Sequence, residues 1–332
     1  MHAPDGFYSV GLCISLDVVS LGIIGYCVKK VWRKIDRTTL LLAASIGALV
    51  FAIQLANFSV TRGSSCHCMG GVFSAILLGP YLSTIMISLM HLVQFFIFQD
   101  GGLLSLGPNL LTLAIISTFL GYYLYKTFRS LVIEPYGTYI GAFISSWLTL
   151  LITAITVCVM LYISGIDSLA VTLGPMVGPH VLAGIMEGLI SMLLLALIHK
   201  ISPGFLAISS GNEEGIKYKN LKPEMKKIIV FLLTLAFIIG VFVSPFASRK
   251  PKGLEKLAID HGFAGFYERI YYNAPFPNYS IPYVKNRITG HLVSGLLGVI
   301  STFLLCLGAG ILLTAEAKTD KVEAHLAEVL SP

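Results

Sequence analysis

The sequence predicts an all-α fold, a polytopic membrane bundle of about nine helices. Three observations carry that reading. Of 332 residues, 55% are hydrophobic and only 12% are charged, about half the charge of a soluble domain. The mean hydropathy is +0.82. Apolar runs near the length that crosses a bilayer, about 20 residues, recur along the whole chain. The net charge of +6 then reads as loop lysines and arginines that set topology, not as a nucleic-acid surface. The sequence holds no Walker motif, so ATP hydrolysis by that route is excluded.

The runs place helices at about 8–28, 39–59, 70–98, 105–125, 137–163, 175–199, 227–244 and 291–314. The first does not read as a signal peptide. Asp5 precedes it and "KKVWRK" follows it, the reverse of a signal peptide's charge order. That order puts the N-terminus outside and the basic end in the cytoplasm. The run at 70–98 is too long for one untilted span, and "LGP" at Leu78-Gly79-Pro80 breaks it. It splits into a short helix, about 68–79, and a full one, about 80–98, which makes nine. Short or Pro-broken helices are where membrane transporters build sites. The loop at 29–37 holds five Lys/Arg and lies inside, with the basic stretch at 200–226. The loop at 245–290 is also basic, yet nine helices place it outside. An eight-helix arrangement puts it inside but pushes 200–226 out, and charge alone leaves both open. By composition, residues 201–226 are a cytoplasmic linker between a body at 1–200 and a two-helix unit at 227–332.

The chain opens "MHAPDGFYSV". A free amine on Met1, the backbone nitrogen of His2 and the His2 imidazole can grip one metal together. The amine and amide nitrogens close one chelate ring, and the amide and Nδ1 close a second. With the amide proton displaced, these are three strong-field nitrogens in a plane. A fourth in-plane nitrogen completes a square-planar seat, the geometry of Ni(II) or Cu(II) and not of Zn. Pro4 narrows the path of the chain leaving the seat. The stretch "VTRGSSCHCMGG" follows the second helix, so it falls on the same outer face, and it carries His67 as the fourth-ligand candidate.

"MHAPDGFYS" resembles the N-terminal signature of the CbiM/NikM family, the substrate-binding membrane subunits of energy-coupling-factor (ECF) nickel and cobalt importers. "GSSCHCMGGVFSAILLGP", "VQFFIFQDGGLLSLGPN" and "HVLAGIMEG" resemble its later blocks, in family order across roughly residues 1–200. The two-helix unit resembles the small NikN-type partner, here fused, with "PKGLEK" at 251–256 and Lys252 where Asp is usual. The resemblance implies metal ligation by Met1, His2 and His67, and it favours nine helices with 245–290 outside. It also implies Ni2+ or Co2+ as transported substrate, with no resident cofactor. The implied partners are a transmembrane coupling (T) subunit and two ABC ATPase subunits, in a prokaryotic cell membrane with the C-terminus cytoplasmic. Two features depart from the pattern. Ala3 replaces the usual Ile, and Cys66 and Cys68 flank His67, either as alternative thiolate ligands or as packed bystanders.

Polar groups inside a membrane are expensive and face the bundle interior. Asp17, Gln54, Asn57, His91, Gln94, Asn109, His180 and Glu187 all fall in apolar runs. Ser64, Ser65, Asn109 and His180 are candidates to support the seat, Asn109 and the two serines by orienting His67. For each, an ordinary inter-helix hydrogen bond competes with that role. No Ser/His/Asp or paired-carboxylate set is visible, and four in-plane nitrogens leave only axial positions for catalysis. A metal-dependent membrane enzyme is therefore the weaker reading beside a transport subunit. A non-transporting scaffold would not need its first two residues. Square-planar nitrogen coordination and the "PKGLEK" loop both lean to nickel over cobalt.

Overall fold

The computed structural model describes the chain except for Met1, Arg33, residues 210–221, Arg269, Tyr272, Tyr283 and residues 330–332. In chain order the helices are α1 (Val10–Val31), α2 (Arg37–Leu55), the short α3 (Gly71–Leu78), α4 (Pro80–Phe98) and α5 (Leu106–Ser130). Then follow α6 (Tyr136–Ile163), α7 (Leu169–Ile201), the short α8 (Pro203–Ser209), α9 (Pro223–Phe246), the short α10 (Gly253–Asp260) and α11 (Arg287–Val329). Among the described residues, eight helices are long and apolar enough to cross a membrane. The ninth apolar helix is α3, whose eight residues reach about 12 Å, under half of a hydrocarbon core. The break expected at "LGP" separates α3 from α4. Gly79 turns the chain at φ 76°, and Pro80 opens α4 where a missing N–H costs nothing.

Local chemistry sets the ends and bends. Asp36 caps α2, accepting from the Thr39 N–H at 2.9 Å. Residues 111–120 of α5 wind as a π-helix. There the hydroxyls of Thr112, Ser117 and Thr118 bond back to carbonyls three and four residues earlier, competing with the regular ladder. Pro175 and Pro179 lie inside α7, which begins at Leu169 rather than near 175. Membrane helices tolerate such prolines because neighbours and local adjustments re-satisfy the backbone.

α2 is buried along nearly its whole length and forms the centre of the bundle. α9 and α11 pack directly on it. At Gly298 of α11, a Cβ would lie 2.0 Å from the Phe51 ring. α1 is peripheral, and its exposed face carries Val10, Ile14, Val18 and Leu21, as contact with lipid tails requires. Of the expected linker 201–226, α8 buries Phe205 and Leu206, and residues 210–221 lie outside the described residues.

Four segments meet on one face: residues 2–9, the loop 56–70 with a hairpin pairing Phe58 to Cys66, the loop 99–105, and the loop 245–290. Asp5 bridges to Glu268, and Ser65 bridges to Lys252. The N-terminal segment and the 245–290 loop therefore share a face, as nine helices require and eight do not. The aromatic residues of the 245–290 loop form only a partly packed layer. Phe263 is buried edge-on against Phe7, and Tyr271 packs on Phe95 and Phe96. Phe266 and Tyr267 are exposed, because they lie on the outer side of the turn whose backbone meets Gly6, and Tyr272 lies outside the described residues. Phe276 and Tyr279, not anticipated, pack on Phe98.

Candidate metal centre

The first residues are held on three sides. The Ala3 N–H donates to Asn109 Oδ1 at 2.8 Å, and Asn109 Nδ2 donates back to the Ala3 carbonyl at 2.9 Å. Asp5 accepts from the backbone N–H groups of Leu103 and Ser105 at 2.8 and 3.0 Å. The Asp5 carbonyl accepts from the Glu268 N–H at 2.9 Å. Gly6 sits at φ 89°, and a Cβ there would lie 1.8 Å from the Phe266 carbonyl oxygen. "PDG" is thus a clasp: the carboxylate hooks one loop, and the glycine admits another against bare backbone.

The clasp leaves the His2 side chain only 3% exposed. A chain of amides sets its tautomer. Gln54 Nε2 donates to the Met69 carbonyl at 2.9 Å, and Gln94 Nε2 donates to Gln54 Oε1 at 2.8 Å. Gln94 Oε1 is then the acceptor for His2 Nε2 at 3.1 Å and for His91 Nδ1 at 2.6 Å. So the His2 proton is assigned to Nε2 and its lone pair to Nδ1. His2 Nδ1 is buried with no hydrogen bond; Asp100 Oδ1 lies 3.4 Å away, outside hydrogen-bond geometry. That orphan is the nitrogen the chelate calls for. His67 Nδ1 donates to the Cys68 carbonyl at 3.0 Å, so its lone pair is on Nε2. The His2 and His67 rings lie 5.4 Å apart at 28°. Burial holds both imidazoles well below their ordinary pKa, more strongly than nearby Asp100 raises them. Both are neutral near pH 7, the state a metal ligand needs.

Asp100 is the charge beside this pair. Its carboxylate accepts from Lys252 Nζ at 2.7 and 2.5 Å and from the Tyr279 hydroxyl at 2.9 Å. Burial alone would raise its pKa; the neighbouring positive charge and hydrogen bond of Lys252 outweigh this and hold it well below the carboxylate range. Among the described residues, the non-glycine positions with positive φ are Gln99 at 56°, Asn278 at 53° and Tyr279 at 56°. All three adjoin Asp100 or its hydroxyl donor. Such backbone costs about 1–3 kcal/mol each and persists where the surroundings over-determine it.

The other expected site residues fall as follows. Met1 lies outside the described residues. Asn109 does not orient His67: both ends of its amide serve Ala3. The Ser64 hydroxyl donates to the Thr61 carbonyl, and Ser65 bonds Lys250 and Pro251, so the serines tie the His67 loop to itself and to the cap loop. His180 Nδ1 donates to the Met176 carbonyl at 2.5 Å, and its Nε2 faces Cys66 Sγ at 4.0 Å. Cys66 and Cys68 are buried free thiols. Burial pushes Cys66 up to about 11, and burial with the Glu187 charge raises Cys68 well above its ordinary value. Glu187 accepts from the N–H groups of Met69 and Gly70 at 2.6 and 2.8 Å, anchoring the chain just past His67. Gln54, Gln94, Asp100 and Lys252 were not read as site residues from sequence. The only signals were two amides in apolar runs, the "FQDGG" block and the Lys in "PKGLEK".

Among the described residues, no three His, Cys, Asp or Glu side chains are grouped to hold a metal. A seat at His2 and His67 therefore needs backbone or terminal nitrogens as well. The fold and site define a polytopic membrane protein with two buried, neutral imidazoles beneath a layer of loops. Residues 2–205 match the family model described as CbiM, cobalt uptake substrate-specific transmembrane region, and residues 226–315 match the PDGLE domain. The chain belongs to the CbiM family, fused to a PDGLE unit. It is a transport protein rather than an enzyme, and metal is its cargo rather than a cofactor.

Two relatives match over more than nine tenths of the chain. The chain is 28% identical over 324 residues to a putative fused nickel transport protein NikMN of Archaeoglobus fulgidus, covering 96% of this chain and 100% of that one. It is 26% identical to the probable fused nickel transport protein LarMN of Lactiplantibacillus plantarum, covering 93% and 97%. The crystal structure of a truncated transition metal transporter aligns at TM-score 0.53 and 28% identity, over 60% of this chain and 99% of that one.

Proposed function

We propose that the chain is the substrate-capture membrane subunit of an ECF-type importer for Ni2+. The ion is taken from outside by the Met1 amine, the His2 backbone nitrogen and imidazole, and the His67 imidazole. Residues 1–200 are the capture body, 201–226 a cytoplasmic linker, and 227–332 a NikN-like unit whose 245–290 loop is extracytoplasmic. A T subunit and two ABC ATPases supply the energy. The observation that carries the reading is the buried, unpartnered His2 Nδ1 beside the His67 ring. The fused nickel transport relatives support nickel, while the family description keeps Co2+ as the second reading.

Loading the purified protein competitively with Ni(II), Co(II) and Cu(II), followed by metal analysis and intact mass, tests this. The expected result is one tightly held Ni per chain on protein that retains Met1 with a free amine. Preferential Co retention would move the assignment to the cobalt reading. No retained metal, or active protein with a blocked or shortened terminus, would overturn the chelate.

A further inference from the structure

Asp100 and Lys252 are outside the proposed ligand set, yet they adjoin its key atom. Asp100 Oδ1 lies 3.4 Å from His2 Nδ1, and Lys252 grips both Asp100 oxygens. Lys252 precedes α10 at its N-cap, and its N–H bonds the Glu255 carboxylate at 3.2 Å. A cavity of about 420 Å3 opens between the N-terminal segment and α10, lined among others by His2, Gln99, Asp100, Lys252 and Glu255. The ion pair and the His2 ring thus share one wall of that cavity.

Charge balance gives the pair a role. With the seat empty its two imidazoles are neutral, and Asp100 is a buried carboxylate that needs a cation. Lys252 supplies it. A dication bound to a deprotonated amide and three neutral nitrogens carries a net charge of about +1, which Asp100 alone cancels. A dication on His2 Nδ1 would lie within a few ångströms of the carboxylate that Lys252 grips, so the two cations repel each other across it. One carboxylate therefore faces two alternative cations.

We propose that Lys252 is a placeholder cation: its ammonium occupies Asp100 while the seat is empty, and a dication captured at His2 takes over the carboxylate and frees Lys252 together with the start of α10. The proposal rests on the metal seat described under Proposed function. It makes Lys252 a positioning residue that sets affinity, and it links occupancy to the cap loop.

A purely structural staple predicts the opposite sign, since its loss loosens the cap and lets metal escape. Nickel affinity of the full-length protein, measured by chelator competition, separates the two. Lys252→Met should bind Ni2+ roughly tenfold or more tightly, because a competing charge a few ångströms away is gone. In an Asp100→Asn background the same change should add nothing. On wild-type protein, amine-reactive labelling of Lys252, read by mass spectrometry, should rise several-fold when Ni2+ is bound. Weaker or unchanged affinity in Lys252→Met, or labelling that nickel leaves unchanged or lowers, overturns the proposal. Should Lys252→Met not fold, the wild-type labelling decides alone. Wild-type protein that holds no nickel sinks the seat and the placeholder together; nickel held with unchanged labelling sinks only the placeholder.

Discussion

His2 is fixed by groups that never touch its Nδ1. The Met69 carbonyl orients Gln54, Gln54 orients Gln94, and Gln94 takes the Nε2 proton. Each step removes one rotational choice, so Nδ1 is preorganised as an acceptor. His2 and His67 then contribute unequally. His67→Ala leaves a three-nitrogen chelate with a corner for water, so weak nickel binding should survive. His2→Ala loses the imidazole that anchors amide deprotonation, so its loss should be deeper, by several kcal/mol of binding free energy or about a hundredfold or more in Kd. Titration calorimetry of the two variants checks the order. Equal losses would mean that the two rings hold equivalent positions.

At the scale of elements, the N-terminal segment works as a short strap whose length is set at three points. Asn109 holds Ala3, the 103–105 loop holds Asp5, and the cap backbone meets Gly6. With residue 3 pinned, the distance from the chain end to the seat is fixed. An Ala inserted between Met1 and His2 keeps every residue type and still makes a good chelating terminus in solution. In the protein it should push the chain out of register with His67 and abolish nickel uptake. Wild-type uptake by that variant would show that His67 is not the fixed fourth corner. Asn109→Ala deletes both bonds to Ala3. It should cost about 1–3 kcal/mol locally and weaken nickel binding about tenfold, while thermal unfolding of the bundle changes little. An Asn109→Ala protein with wild-type affinity would show that Asn109 does not set the strap.

For the whole molecule, the two-helix unit contributes in two places. α9 and α11 pack on α2 within the bundle, and the loop between them covers the seat. The cover is stitched by backbone as much as by side chains, at Asp5 with Glu268 and at Ser65 with Lys252. If the loop faces outward, a cysteine placed at the exposed Asn273 should react with a membrane-impermeant thiol reagent on intact cells. Labelling only after permeabilisation would reverse the orientation of the entire bundle, since the N-terminal segment and this loop share one face.

The sequence by itself determined the apolar spans and the break at "LGP", because each follows from local composition or covalent geometry. It left open which face the 245–290 loop occupies relative to the N-terminus, since its charges argued one way and the span count the other. Backbone contact decided that. It likewise left Gln54 and Gln94 without assigned partners and gave Asn109 to His67. An amide's partners depend on which helices meet and at what depth, and no spacing within one segment encodes that. Asp100 and Lys252 are 152 residues apart. Only folding brings that lysine to that carboxylate, and the carboxylate to His2.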